Sequence, residues 1–169
     1  TVEANVNLQI VLKVQELLEE SGATVVLTRS DENGIYDENE KSKKVSDIRN
    51  RVKIGNESNA DVFVSIHLNK INDQKSKGWQ TFYKEKSSKG KELAENIQNG
   101  LNDVINKSNN RKAKTIKNIY IIENVEIPIC IVECGFLSNA EEEKKLSSSD
   151  YQDKLAYGIY IGIINYFYN

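Results

Sequence analysis

The chain has 169 residues, 38% of them hydrophobic, enough to bury a core and within the usual size of one domain. Its 25 acidic and 23 basic side chains nearly cancel, and a net charge of −2 gives no general attraction to nucleic acid or to anionic membranes. The longest apolar runs, such as IPICIVECGFL, fall short of the roughly 18 to 20 residues that span a bilayer, so the chain reads as not membrane-spanning and its specificity must lie in a site.

The chain opens on Thr1-Val2-Glu3, without methionine or a visible secretory signal, and so reads as a processed or trimmed product. Residues 5–20, NVNLQIVLKVQELLEE, put Leu8, Val11, Leu12, Val14 or Gln15 and Leu18 at helical spacing, and Ser21-Gly22 supplies a stop. ATVVLTR, 23–29, is β-branched and apolar and reads as a strand buried on both faces. From Ser30 to Lys44 the composition turns polar, with Asn33-Gly34 as a turn, which predicts a mobile surface loop. A second helix is expected from about Ser46 to Ser58, with Ile48, Val52 and Ile54 or Gly55 inward and Asp47 near its start, favoured by the helix dipole.

ADVFVSIH, 60–67, and GWQTFYK, 78–84, read as strands, the second with Trp79, Thr81 and Tyr83 on one side and Gln80 and Phe82 on the other. Residues 88–107 give a third helix with Leu93, Ile97, Leu101, Val104 and Ile105 as its apolar stripe. After the basic loop RKAKTIKN come two short strands, IYII and PICIVECGF, the second opened by Pro128. The tail from about Asp150 is a final helix with Leu155, Ile159, Ile163 and Tyr166 or Phe167 inward. No repeat or second domain emerges, so the expectation is one α/β domain over 1–169 with a twisted, mostly parallel sheet flanked by helices.

Cys130 and Cys134 lie four apart in a strand, on the same face but about 13 Å apart, too far for a disulfide. With no CxxC and no Cys/His cluster, they read as buried small apolar residues rather than as a zinc finger. Three other places join a charged group to the end of an element: Glu3 before the first helix, His67, the sole histidine, and Glu133 in CIVECGFLSN. Ligand sites of open parallel sheets lie at the carboxyl ends of the strands, where His67 and Glu133 both fall. His67 could be a metal ligand, a catalytic base or a polar strand-end residue. A carboxylate following an apolar run would be desolvated and its pKa raised toward acid/base use, whereas Glu133 could equally reach solvent. Glu3 alone is an ordinary charge for a helix N-terminus.

Four segments, EANVNLQIVLKVQELLEESGATVVLTRSD, RVKIGNESNADVFVSIHLN, NRKAKTIKNIYIIENVEIPICIVECGFLSN and LAYGIYIGIINYF, together resemble the zinc-dependent N-acetylmuramoyl-L-alanine amidases of the amidase-3 type, closest to the spore-cortex enzymes of spore-forming bacteria. S-I-H-x-N and P-x-x-x-V-E-x-G-F-L-S-N carry most of the likeness, which extends in order over nearly the whole chain. The resemblance implies a phosphorylase/hydrolase-like fold and hydrolysis of the amide between N-acetylmuramic acid and L-alanine of peptidoglycan. It implies one zinc ion held by Glu3, His67 and a further histidine, with Glu133 as the catalytic carboxylate. In the family that histidine lies in a D-P-G-H-G-G type segment after a first strand, both upstream of the position of Thr1, so the domain is expected to be truncated at its N-terminal edge and, as it stands, to bind metal poorly. Ala4 stands where the family commonly has lysine.

Asn69 could orient the loop after His67 or bond the glycan, and Arg111 and Lys114 could pair with carboxylates of the stem peptide. Arg51 and Asn56 read as fixing helix and loop geometry, and Trp79 as packing rather than a sugar platform. The resemblance places the domain outside the cytoplasm, at the cell wall or around the developing spore. A protein partner that completes the zinc site, and a metal-free wall-binding domain of the same fold, are the other readings.

Overall fold

The computed structural model describes residues 2–29, 31, 34–39 and 41–169. Helices α1 (Val2–Glu20) and α2 (Lys43–Glu57) precede strands β1 (Phe63–Asn69) and β2 (Gln80–Lys84). They are followed by α3 (Ser88–Val104), β3 (Lys114–Ile116), α4 (Tyr120–Asn124), β4 (Ile129–Phe136), α5 (Ala140–Leu146) and α6 (Ser149–Tyr168). The four strands form one sheet in the order β1-β4-β2-β3. β1 runs parallel to β4 and β2 parallel to β3, while β2 meets β4 antiparallel, so the expected mostly parallel sheet is found with one reversed pairing.

β4 holds the centre because its alternation serves two cores. Cys130, Val132 and Cys134 face α1, α3 and α6, whereas Ile129 and Ile131 face α2 and α4, where Val52, Ile122 and Val125 meet them. Both cysteines are fully buried and unbridged, as their composition suggested. α3 and α6 touch backbone to backbone: a Cβ on Gly100 would overlap the Gly158 carbonyl oxygen, one on Gly158 would lie 2.9 Å from Leu101 Cα, and one on Gly162 would overlap the Ile97 backbone. Glycine is needed there for the close approach rather than for conformational freedom.

Several elements depart from the sequence reading. The segment 23–27 has no ladder partner among the described residues, and Val26 is 53% exposed, so the buried strand expected at 23–29 is not formed. β-branched residues favour an extended chain, but a strand exists only where a neighbour supplies its hydrogen bonds. This stretch is tied at its end instead, where Arg51 Nη1 donates to Thr28 Oγ1 (3.2 Å) and Arg29 Nη2 to the Ala4 carbonyl (2.6 Å). The run IYII is the start of helix α4, not a strand, because a single turn delivers Ile122 and Val125 together into the core under α2. Asn56 locks that turn, donating to the Asn124 carbonyl and accepting from Glu126 N–H, in the geometric role expected of it.

The basic loop contains β3, whose Lys114 pairs with Phe82, and α5 was not foreseen. α2 begins earlier than expected, capped by Ser42 accepting from Val45 N–H, so Asp47 sits a turn inside the helix. There it accepts from Ile35 N–H and from Arg51 rather than serving the dipole. Ser46 and Asn50 also bond the 35–37 backbone, pinning that part of the polar segment to α2; the turn expected at Asn33-Gly34 lies partly outside the described residues.

The contact between α3 and α6 yields a direct test. Gly162→Ala should destabilise the protein by about 3 kcal/mol, the upper range for overpacking. For a domain of this size that lowers Tm by roughly 6–12 °C in a thermal melt, whereas Gly22→Asn, at an open positive-φ turn, should shift it little.

Candidate active site

The polar residues of the site lie on the sheet face that carries the α2 and α4 core. Along β1 this face reads Phe63, Ser65, His67, Asn69, passing from apolar to polar toward the carboxyl end. Register then sets neighbours: His67 pairs with Glu133 on β4, and Glu133 pairs on its other side with Gln80 on β2. A transverse row His67, Glu133, Gln80 results. One residue later the ladder slips, so Asn69 pairs with Phe136; the extra residue on β4 is a bulge that brings Phe136 onto the same face. The Leu137 N–H donates to the Asn69 carbonyl at 2.8 Å and closes that end of the strand pair.

Glu3 reaches the row from the first turn of α1 and lines, with His67 and Glu133, a cavity of about 1440 Å³ between α1, the 23–28 segment, α2 and the open edge of β1. Burial, and then the negative charge of Glu3, push Glu133 up to about 7. Its Oε2 is buried with no hydrogen-bond partner among the described residues. His67 shares a 2.7 Å hydrogen bond between Nε2 and Ser65 Oγ. Burial, assisted by the Arg51 charge, holds its pKa below the usual imidazole value, so the ring is neutral at physiological pH.

Two carboxylates and a neutral imidazole around one void suit a divalent cation, and their oxygen and nitrogen donors fit zinc, which takes such ligands at tetrahedral sites. Among the described residues no group of three His, Cys, Asp or Glu side chains has metal-binding geometry, so the described donors alone do not form a full set. Asn69 and Arg111 lie outside this cavity. Arg111 stands on the far side of Glu133, with its guanidinium 5.2 Å from the Phe136 ring centre and Nη1 donating to Gln80 Oε1 at 3.2 Å. Trp79 is buried, its indole N–H bonded to Asn102 Oδ1, and is no sugar platform. Gln80 was missed: an alternating strand reading places it on a face but cannot reveal that its neighbour is Glu133.

A histidine and a buried glutamate thus lie side by side at parallel strand ends, with a glutamate delivered toward them from α1. The family model for N-acetylmuramoyl-L-alanine amidase, Amidase_3, matches residues 1–165. The chain belongs to this amidase family. It is 40% identical over 169 residues to the germination-specific N-acetylmuramoyl-L-alanine amidase of Bacillus subtilis, covering 98% of this chain and 71% of that protein. It is 32% identical to the amidase LytC of the same organism, covering 98% of this chain and 31% of LytC. The amidase CwlD of Clostridioides difficile, solved in complex with the GerS lipoprotein, superposes with a TM-score of 0.94 at 44% identity, over 98% of this chain and 86% of that one. The chain is thus a peptidoglycan amidase whose relatives include germination enzymes, and no helix among its described residues is long and apolar enough to cross a membrane.

The amidase has a single imidazole to follow by NMR. In the metal-free chain it should titrate below pH 6.5, and a midpoint at or above 6.5 would contradict the buried, Arg51-flanked geometry. Because the folded pKa is depressed, the stability tied to His67 is full above about 6.5 and is lost as pH falls through the folded value.

Proposed function

We propose that this amidase hydrolyses the amide between N-acetylmuramic acid and the L-alanine of the stem peptide, in spore-cortex peptidoglycan, with one zinc ion held by Glu3, His67 and, as third ligand, a further histidine. The observation that carries it is the buried Glu133, lacking a hydrogen-bond partner on Oε2, set beside His67 in register and facing Glu3 across the cavity. Zinc bound there would polarise the scissile carbonyl and acidify a water. Glu133, with a pKa near 7, can take a proton at Oε2 and return it to the leaving amine nitrogen. Ser65 orients the His67 ring through Nε2.

The third ligand enters, in this reading, on an extended segment lying in the gap between 23–28 and the open edge of β1. Two features support that placement: residues predicted to form a buried strand at 23–29 lack a ladder, and the cavity runs along both to reach Glu3, His67 and Glu133. Activity outside the cytoplasm, at the wall or around the developing spore, follows from the substrate. A protein partner that steadies the metal site is in keeping with the GerS complex of CwlD.

The test is zinc-dependent release of stem peptide from denuded cortex fragments by the full-length protein. Glu133→Gln should retain zinc by elemental analysis while turnover falls by at least about 10³-fold, within the range of losing a general base together with its charge. Full activity of that variant would sink the assignment. Glycan binding with neither metal nor turnover would replace it with a non-catalytic wall-binding role.

A further inference from the structure

The row His67, Glu133, Gln80 does not end at Gln80. Its Nε2 donates to the Lys112 carbonyl at 2.9 Å and its Oε1 accepts from Arg111 at 3.2 Å, so the amide is gripped from both ends. Arg111 is also held from below by the Phe136 ring, which the bulge in β4 turned onto this face. Its backbone N–H meets Asn109 Oδ1 at 3.4 Å, and Asn109 is bonded in turn to Asn102 Oδ1 at 2.9 Å. Yet among the described residues no carboxylate lies within ion-pair distance of this guanidinium, and its remaining donors have no acceptor. A half-buried cation is fixed in place with no counter-charge among the described residues.

The holding residue is a neutral amide, and that choice matters. A glutamate at position 80 would neutralise Arg111 internally and would add a third negative charge beside Glu133 and Glu3. Gln80 orients the guanidinium while leaving its charge available. Preorganised planar donors of this kind match a carboxylate, where charge-assisted bonds are strongest.

We infer that Gln80 and Arg111 form a carboxylate-recognition site for the stem peptide, with Arg111 binding the free carboxylate of the residue that follows L-alanine and Gln80 acting as its positioning residue. The peptide then runs across the strands, from β4 over β2 toward β3, rather than along them. Strands lie about 4.8 Å apart and an extended residue covers about 3.3 Å. One to two strand spacings from Glu133 to Arg111 therefore correspond to about two residues beyond the scissile bond. This inference rests on the amidase reading proposed above, and deepens it by naming what part of the substrate is recognised on the side away from the metal.

The test compares two muropeptides, one with a free carboxylate on the second stem residue and one with that carboxylate amidated, using the zinc-loaded full-length protein. The wild type should prefer the free acid in kcat/KM, mainly through KM. In Arg111→Gln and in the isosteric Gln80→Glu the preference ratio should fall roughly tenfold, about 1.4 kcal/mol. Arg111→Lys should restore part of it. Calorimetry with the two released stem peptides, free acid and amide, reads the same preference without turnover. Equal loss on both substrates in the variants, or an unaltered preference in Gln80→Glu, would overturn the inference. If the wild type cleaves neither muropeptide the amidase reading fails, and the calorimetric comparison still decides this one: a wild type that binds both peptides alike overturns it.

Discussion

The parallel ladder between β1 and β4 is the constraint on which the rest of the molecule depends. β4 is buried on both faces, so its register cannot slip by one residue without throwing Cys130 and Val132 out of one core and Ile129 and Ile131 out of the other. Pinning β4 in this way also pins Glu133, the single ionisable carboxylate in that strand, beside His67. The proposed catalytic carboxyl is thereby held in a desolvated place by a hydrophobic force that has nothing to do with its chemistry. The same force accounts for its raised pKa.

Around that ladder the helices divide the labour. The glycine-lined contact of α3 and α6 brings two backbones close and closes the face opposite the site, while α2 and α4 close the near face only partway along the strands. Where their apolar cover ends, the strand residues turn polar and the row His67, Glu133, Gln80 begins. α1 spans both settings: Val6, Ile10 and Val14 enter the core, while Leu8 and Val11 line the cavity that Glu3 overlooks. The helix therefore carries a proposed ligand and the wall of the gap on one element, which couples site geometry to its packing on α6.

Much of this was legible in particular residues. Helical spacing located α1, α2, α3 and α6, alternation located β2, and short apolar runs located β1 and β4, because each of those patterns records what an element buries. The pairs S-I-H-x-N and V-E-x-G-F singled out His67 and Glu133 through likeness to a family, and both fall in one row. The failures share a cause. ATVVLTR has the composition of a strand but no partner to hydrogen-bond it, IYII is too short for its period to be read, and β3 is a strand only because β2 is alongside.

By itself, then, the sequence determined the class of fold, the buried character of the two cysteines and the identity of the amidase family, since these depend on local periodicity and on residue types at set spacing. Tertiary structure alone decided which residues are neighbours across the sheet. Gln80 lies opposite Glu133, Phe136 is turned under Arg111 by a one-residue bulge, and Glu3 faces Glu133 across a cavity. Those relations come from register and from the packing of α1 against α6, which no single segment encodes, because hydrogen-bond pairing and burial are settled between segments and not within them.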